Sequence, residues 1–448
     1  MKGATIRMKL EDAMNHAHRI IVILIILLAA LTACTIAPTA TPQTSTDVPK
    51  VQDTSQPEPN TPTDPPAQPE ATVTALPEPT LPALVGDPVP VLPSGAKINI
   101  SNIHMLDDAK GWAIGFLPGS PDRHILRTTD GGGTWQQVTP PQPWQVSEYS
   151  GMTPAMAVRS ATELYVAYGG GPVPIVVWHT TDAGATWTYS RPLEQPAIMD
   201  MFFPSDLYFV DAQNGWLMAH LGAGMNHDYI AIYRTTDGGN TWTRVVDPDK
   251  NNLTMSFSKS GISFINTSRG WVTGSTNGVY DDLFLYQTDD GGDTWTQLVL
   301  PSPNGDAAFF TTMGNVCNSS PVMIFGSTAL LPIACNNYNT SEKSGWLYTS
   351  ADGGNTWSSA SMPSVVYGSY AFINAQTGWL IGEKQIYRTT NGGVSWIGPK
   401  VVSWDGVPYF LNATTGWVAA YNDDRSEYAL VRTLDGGQNW QIIGTIIK

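Results

Sequence analysis

Basic residues are scarce in this 448-residue chain: 23 Lys and Arg stand against 38 Asp and Glu, a formal net charge of −15. A nucleic-acid surface needs a basic excess to displace counterions from phosphate. The balance therefore argues against nucleic acid and suits a solvated acidic surface or a cationic or neutral partner. Cysteine is rarer still, with three residues in all. That excludes a disulfide-dense scaffold and leaves too few ligands for a cysteine-based metal centre. Long apolar runs are missing too. The uncharged run Ile20 to Ala30 has eleven residues, too few to span a bilayer comfortably. No long amphipathic helical pattern occurs after residue 96.

What the N-terminus does have is a targeting pattern. Lys2, Arg7, Lys9 and Arg19 precede the eleven-residue run, with Glu11 and Asp12 among them. The run has the length of a signal h-region. Next comes Leu31-Thr32-Ala33-Cys34, which resembles the lipobox of bacterial lipoproteins. The resemblance implies that residues 1–33 are a lipoprotein signal peptide and that Cys34 is lipidated. Several acyl chains would anchor the protein stably on the extracytoplasmic side, at the cell surface or in the periplasm. A plain signal peptide with an incidental cysteine is the other reading. Residues 35–96 hold 15 of the 34 prolines, one lysine (Lys50) and seven acidic residues. Such a stretch cannot bury enough apolar surface to offset ordering entropy. Residues 34–96 therefore read as a lipidated cysteine on a disordered, partly polyproline-II tether.

Residues 97–448 repeat. Seven segments share the pattern Thr128-Thr-Asp130-Gly-Gly-Gly-Thr-Trp135, with Asp130, Asp182, Asp237, Asp290, Asp352, Asn391 and Asp435 at its third position. Their spacings of 52, 55, 53, 62, 39 and 44 residues suit one four-stranded unit each. A Gly-Trp pair precedes five of them, at Trp112, Trp216, Trp271, Trp379 and Trp417. In the third repeat, Leu207 to Val210, Trp216 to Ala219, Tyr229 to Arg234 and Trp242 to Val246 read as four strands. The expected fold is all-β: a seven-bladed β-propeller of four-stranded antiparallel blades, after the signal peptide and linker. The second and fifth repeats lack Gly-Trp in their second strand but resemble each other, Pro154-Ala-Met-Ala-Val158 against Pro321-Val-Met-Ile-Phe325.

The recurring acidic position has a structural job. In a turn between the third and fourth strands, its side-chain oxygen can accept backbone N–H bonds, and asparagine serves as well. The glycines supply positive φ, and the tryptophan packs as a wedge. Twelve of the sixteen tryptophans belong to the two signatures, so most tryptophan here is packing. Cys317 and Cys335 are symmetric about Gly326. A hairpin turning there would set them opposite each other, and an extracytoplasmic compartment permits a disulfide.

The repeated box resembles the BNR/Asp-box superfamily, which includes sialidases. The combination of Gly111-Trp112-Ala-Ile-Gly115 with Arg127-Thr-Thr-Asp130-Gly-Gly is closest to the photosystem II stability/assembly-factor-like propellers. The resemblance implies a scaffold that binds other proteins, and it leaves the partner unnamed. The Phe/Tyr-Arg-Ile-Pro motif of sialidases is absent. Arg127, Arg234, Arg388 and Arg432 recur just before the boxes, as residues on or between blades rather than a carboxylate clamp.

By the same resemblance, ligands bind on the face opposite the boxes, in loops joining one blade to the next and the second strand to the third. Those loops hold Trp144, Tyr149, Phe202, His220, His227, Asp228, Tyr280, Asp281, Asp282, Trp404 and Asp405. Trp144 and Trp404 lie outside both signatures and suit a protein or glycan partner; covering the core edge is the other reading. His220, His227 and Asp228 form only a weak metal pattern. The expectation is a scaffold with no cofactor, no metal and no catalytic residue, touching the membrane through its lipid alone. An exo-acting glycoside hydrolase is the alternative, with a carboxylate pair drawn from Asp200, Asp206, Asp281 and Asp282.

Overall fold

The computed structural model describes residues 90–141, 153–170, 173–197, 201–224, 227–247, 253–276, 282–306 and 308–448. Cys34, Trp144, Tyr149, Asp200, Tyr280 and Asp281 lie outside them. Seven sheets follow one another along the chain, at 99–137, 155–189, 203–246, 259–297, 315–362, 369–401 and 405–443. Each is an antiparallel meander of four strands, and together they form the blades of a propeller. Blade 5 varies the plan. Its inner strand is split into Asn315–Ser319 and Met323–Phe325, which pair with successive parts of Thr328–Asn337. No α-helix occurs among the described residues.

The box builds the turn between each blade's third and fourth strands. In blade 1 the Asp130 carboxylate accepts the N–H of Thr134 at 2.9 Å and its hydroxyl at 2.6 Å, while the Thr128 hydroxyl accepts the N–H of Gly132 at 3.0 Å. Gly131 and Gly132 carry φ of 80° and 103°, where a Cβ would be strained. The scheme recurs in all seven blades, Asn391 included: its amide oxygen accepts the N–H of Ser395 at 3.0 Å. Blade 2 departs in one place. Ala183 occupies the first glycine position with φ 65°.

The Gly-Trp signature joins neighbouring blades. Trp216 is fully buried, stacks on Phe264 of blade 4 at 3.7 Å and donates its indole N–H to Gly291 in the blade 4 box at 2.8 Å. Trp379 does the same toward blade 7, stacking on Phe410 at 3.6 Å and donating to Gly436 at 2.9 Å. The arginines before the boxes reinforce these seams: Arg234 donates to the carbonyls of Asp290 and Gly291, and Arg388 and Arg432 lie over Trp379 and Trp417.

The ring closes with the last residues of the chain. Ile446–Ile447 adds a parallel strand to Thr134–Trp135 on the outer edge of blade 1. The domain also begins earlier than the expected residue 97. Leu92 is buried, its N–H bonds the Gln137 side chain at 2.7 Å, and Gly95 donates to Ile447 at 2.8 Å. The prolines at 90 and 93 disguise these residues as linker.

Cys317 pairs directly with Cys335 across adjacent strands, and the two form a disulfide. The turn is where the symmetry puts it: Phe325 pairs with Thr328 around Gly326, whose φ is 63°.

Candidate functional site

Strand direction separates two faces. The boxes and the turns between first and second strands share one end of each blade. Blade-to-blade connections and second-to-third-strand turns share the other. Several segments expected to be loops on that second face are strand. In blade 3 the inner strand is Phe203–Phe209, the next runs on through Gly215–Gly224 and the third begins at His227. In blade 7 the inner strand starts at Asp405. Gly222 and Gly224 hide the length of the second strand, since glycine weakens a strand pattern.

The face bears a cavity of about 550 Å³ at the inner strands of blades 1, 2 and 3, lined by residues that include Asn102, Pro154, Phe203, Ser205, Asp206 and His220. A shared irregularity shapes it. The pairing of first and second strands slips at Ser101 in blade 1 and at Ser205 in blade 3. Both serine hydroxyls donate to the second strand, at Ile114 and Met218, each at 3.1 Å. Such bulges re-aim the following side chain, here Asn102 and Asp206. Blade 4 slips at the same place and follows with Gly261. A Cβ there would stand 2.7 Å from an Asp206 oxygen, so glycine is what leaves room for the carboxylate.

Burial raises the Asp206 carboxyl to about 6, against the opposing pulls of His220 and the backbone N–H of Ile262. His220 stacks on Phe203 at 5.3 Å, and its Nδ1 lies 2.8 Å from the Asp228 carboxylate. The other Asp228 oxygen accepts the backbone N–H of Lys259 at 2.8 Å. The Lys259 ammonium turns away. It donates to the carbonyls of Met255, Ser256 and Phe257 at 2.8–3.0 Å and lies over the Phe284 ring. Burial brings it down to about 8.

Of the residues expected on this face, His220 and Asp228 come together, and Asp206, which entered the sequence reading only as one carboxylate of the hydrolase alternative, lines the cavity with His220. His227 and Asp282 are exposed on the same face. His227 stacks on Tyr229 at 6.1 Å instead of joining His220, and no group of three metal-ligating side chains occurs among the described residues. Phe202 is fully buried in the core between blades 2 and 3, so it presents nothing to a ligand. Trp404 is also packing: it meets the box tryptophan Trp440 edge-on at 5.4 Å. Asp405 accepts the backbone N–H of Lys384 at 2.9 Å, a bond between blades. Sequence reading missed Asn102, whose only signal is its place after a serine in an inner strand.

Residues 92–248 match the family described as "Photosynthesis system II assembly factor YCF48". A xyloglucanase from Paenibacillus is 25% identical over 324 aligned residues, covering 61% of this chain and 29% of the xyloglucanase. The chain thus spans less than a third of that relative. Among solved structures, YCF48 from Cyanidioschyzon merolae superposes with a TM-score of 0.45 at 17% identity, covering 78% of this chain and 98% of that one. A GH74 enzyme from Niastella koreensis does so at 0.34 and 17% identity, covering 77% of this chain and 62% of its own. With its seven box turns and seven blades, this chain is a seven-bladed β-propeller by fold, and over residues 92–248 it is similar to that assembly-factor family.

Proposed function

We propose that this propeller is a non-catalytic binding scaffold, held outside the cytoplasm by a lipid on Cys34, whose loop face takes a protein or glycan partner. The carrying observation is the charge of the cavity. Asp206 is the one carboxylate among its described lining residues, whereas glycoside hydrolysis ordinarily works with two flanking the bond. Asp228 is committed to His220 and the Lys259 backbone, and the box carboxylates point to the other face. The match of residues 92–248 to a family described as an assembly factor supports the same reading. The disulfide fits an oxidising compartment. On this reading residues 1–33 are removed and the stretch from Cys34 to about residue 90 is the tether.

The alternative, an exo-acting glycoside hydrolase, is favoured by the xyloglucanase relative. Photo-crosslinking in cells tests the scaffold reading. Crosslinkers at the exposed His227 and Asp282 should give a partner adduct, and those at Ala185 and Leu434 on the box face should not. Adducts from the box face alone, or none at all, contradict it. Cys34→Ala should move the protein from the detergent phase to the aqueous phase. Unchanged partitioning would contradict the anchor.

A further inference from the structure

The cavity beside Asp206 suggests what it takes. We infer that it is a pocket for a protonated primary amine, the lysine side chain of a partner protein. This rests on the scaffold reading and names the chemistry of that same face. No lysine or arginine is among the described lining residues, and the one carboxylate there is Asp206. Asp206 costs the fold something where it stands: burial disfavours its charge, and the neighbouring blade gives up a side chain at Gly261 to admit it. The Asp206 carboxylate accepts the Ile262 N–H across the seam, but a neutral acceptor would serve there as well, as asparagine does in the blade 6 box. Blade 1 carries Asn102 and blade 4 carries Gly261 after the same bulge.

The lining matches an aminoalkyl chain. Phe203, Pro154, Pro204 and Ile114 offer apolar surface for the methylenes. The carboxylate of Asp206 and the side-chain oxygens of Asn102 and Ser205 offer acceptors for the ammonium, and the Phe203 ring is within the same cavity. A phosphate or carboxylate would meet the Asp206 charge, and a purely apolar group would leave it unpaired. The chain already holds an amine this way one blade over. The Lys259 ammonium sits on three carbonyls and over the Phe284 ring. The charged and titratable groups around Asp206 are His220 on the adjoining strand, Asp228 behind it, and Lys259 on the inner strand of blade 4. Lys259 is turned onto its carbonyls. Raising the pH ionises Asp206, which favours a cation.

The test is titration of the full chain with Nα-acetyl-lysine methylamide, using the norleucine analogue and a xyloglucan oligosaccharide as competing probes, by ligand-observed NMR at pH 5 and pH 7.5. The lysine compound should bind at pH 7.5 and about tenfold more weakly at pH 5, where about a tenth of Asp206 is ionised. Asp206→Asn should weaken it at least tenfold at pH 7.5 while the melting temperature holds or rises. Phe203→Leu, which keeps the charge, should weaken it several-fold. Equal binding of the norleucine compound, no lysine binding, an indifferent Asp206→Asn, or Asp206-dependent binding of the oligosaccharide alone would each overturn the inference. All four leave the scaffold reading to the crosslinks, so the two failures are distinguishable.

Discussion

The indole N–H of Trp417 donates to the carbonyl of Gly131, 3.0 Å away and 286 positions earlier in the chain. Trp216 with Gly291 and Trp379 with Gly436 show the same bond between consecutive blades. Blade 7 therefore meets blade 1 by the contact that joins blades elsewhere, and the added strand at Ile446–Ile447 reinforces it. Trp417→Phe keeps an aromatic side chain but loses the pyrrole half of the indole and strands a buried carbonyl, so it should cost at least about 1–3 kcal/mol. Deleting residues 445–448 should cost more. It removes the burial of Ile447, worth about 2 kcal/mol, and the bonds to Ala96, Ile98 and Trp135. Urea unfolding measures both; unchanged midpoints would show that the ring is held some other way.

The boxes should tolerate amide and fail with alanine. Asn391 already makes the turn with its amide oxygen, so Asp237→Asn should be close to neutral, while Asp237→Ala should cost about 1–2 kcal/mol by leaving the Thr241 N–H and hydroxyl without their acceptor. Hydrogen bonds, first of all from the Thr186 and Thr356 hydroxyls, hold Asp182 and Asp352 at about 2, and the Asn439 N–H does so for Asp435. A carboxyl lowered in the folded state adds stability above its unfolded value near 3.8, and that stability is lost as pH falls toward 2. Replacing several box aspartates by asparagine should flatten the acid limb of a stability–pH curve. An unaltered limb would mean that these bonds do not govern it.

Ala183 is a built-in weak point. Six boxes place glycine there and blade 2 places alanine at φ 65°. Ala183→Gly should raise stability by about 0.5–1 kcal/mol, the relief of a left-handed alanine outweighing the added chain entropy. A lower unfolding midpoint would contradict the assigned backbone.

How much of this was legible follows from range in sequence. The box is an eight-residue motif whose turn-forming side-chain bonds close within four positions, so seven copies disclosed seven blades. The Cys317–Cys335 register could be reckoned from one turn. The cavity could not, because Asn102, Pro154 and Asp206 converge from three blades, and the bulges that aim Asn102 and Asp206 leave no pattern beyond a serine. Trp404 and Phe202 looked available because no repeat claimed them. Their partners, Trp440 and the blade 2 core, become visible only once blades are stacked. Closure escaped notice because Ile446–Ile447 is two residues long and pairs with a strand over 300 positions away.

The disulfide should be measurable as a linked peptide under non-reducing digestion. Cys317→Ala with Cys335→Ala should cost about 3 kcal/mol for a loop of this size. Two titratable thiols in the folded, oxidised protein would contradict it.

The central claim is that this face binds without catalysing, and the xyloglucanase relative makes xyloglucan the substrate on which to test it. Reducing-end release from xyloglucan by the purified full chain is the direct measurement. The account predicts release no greater than that of the denatured protein. Release above that level, abolished by Asp206→Asn or another single Asp or Glu change that leaves the melting temperature intact, would contradict it and identify a glycoside hydrolase.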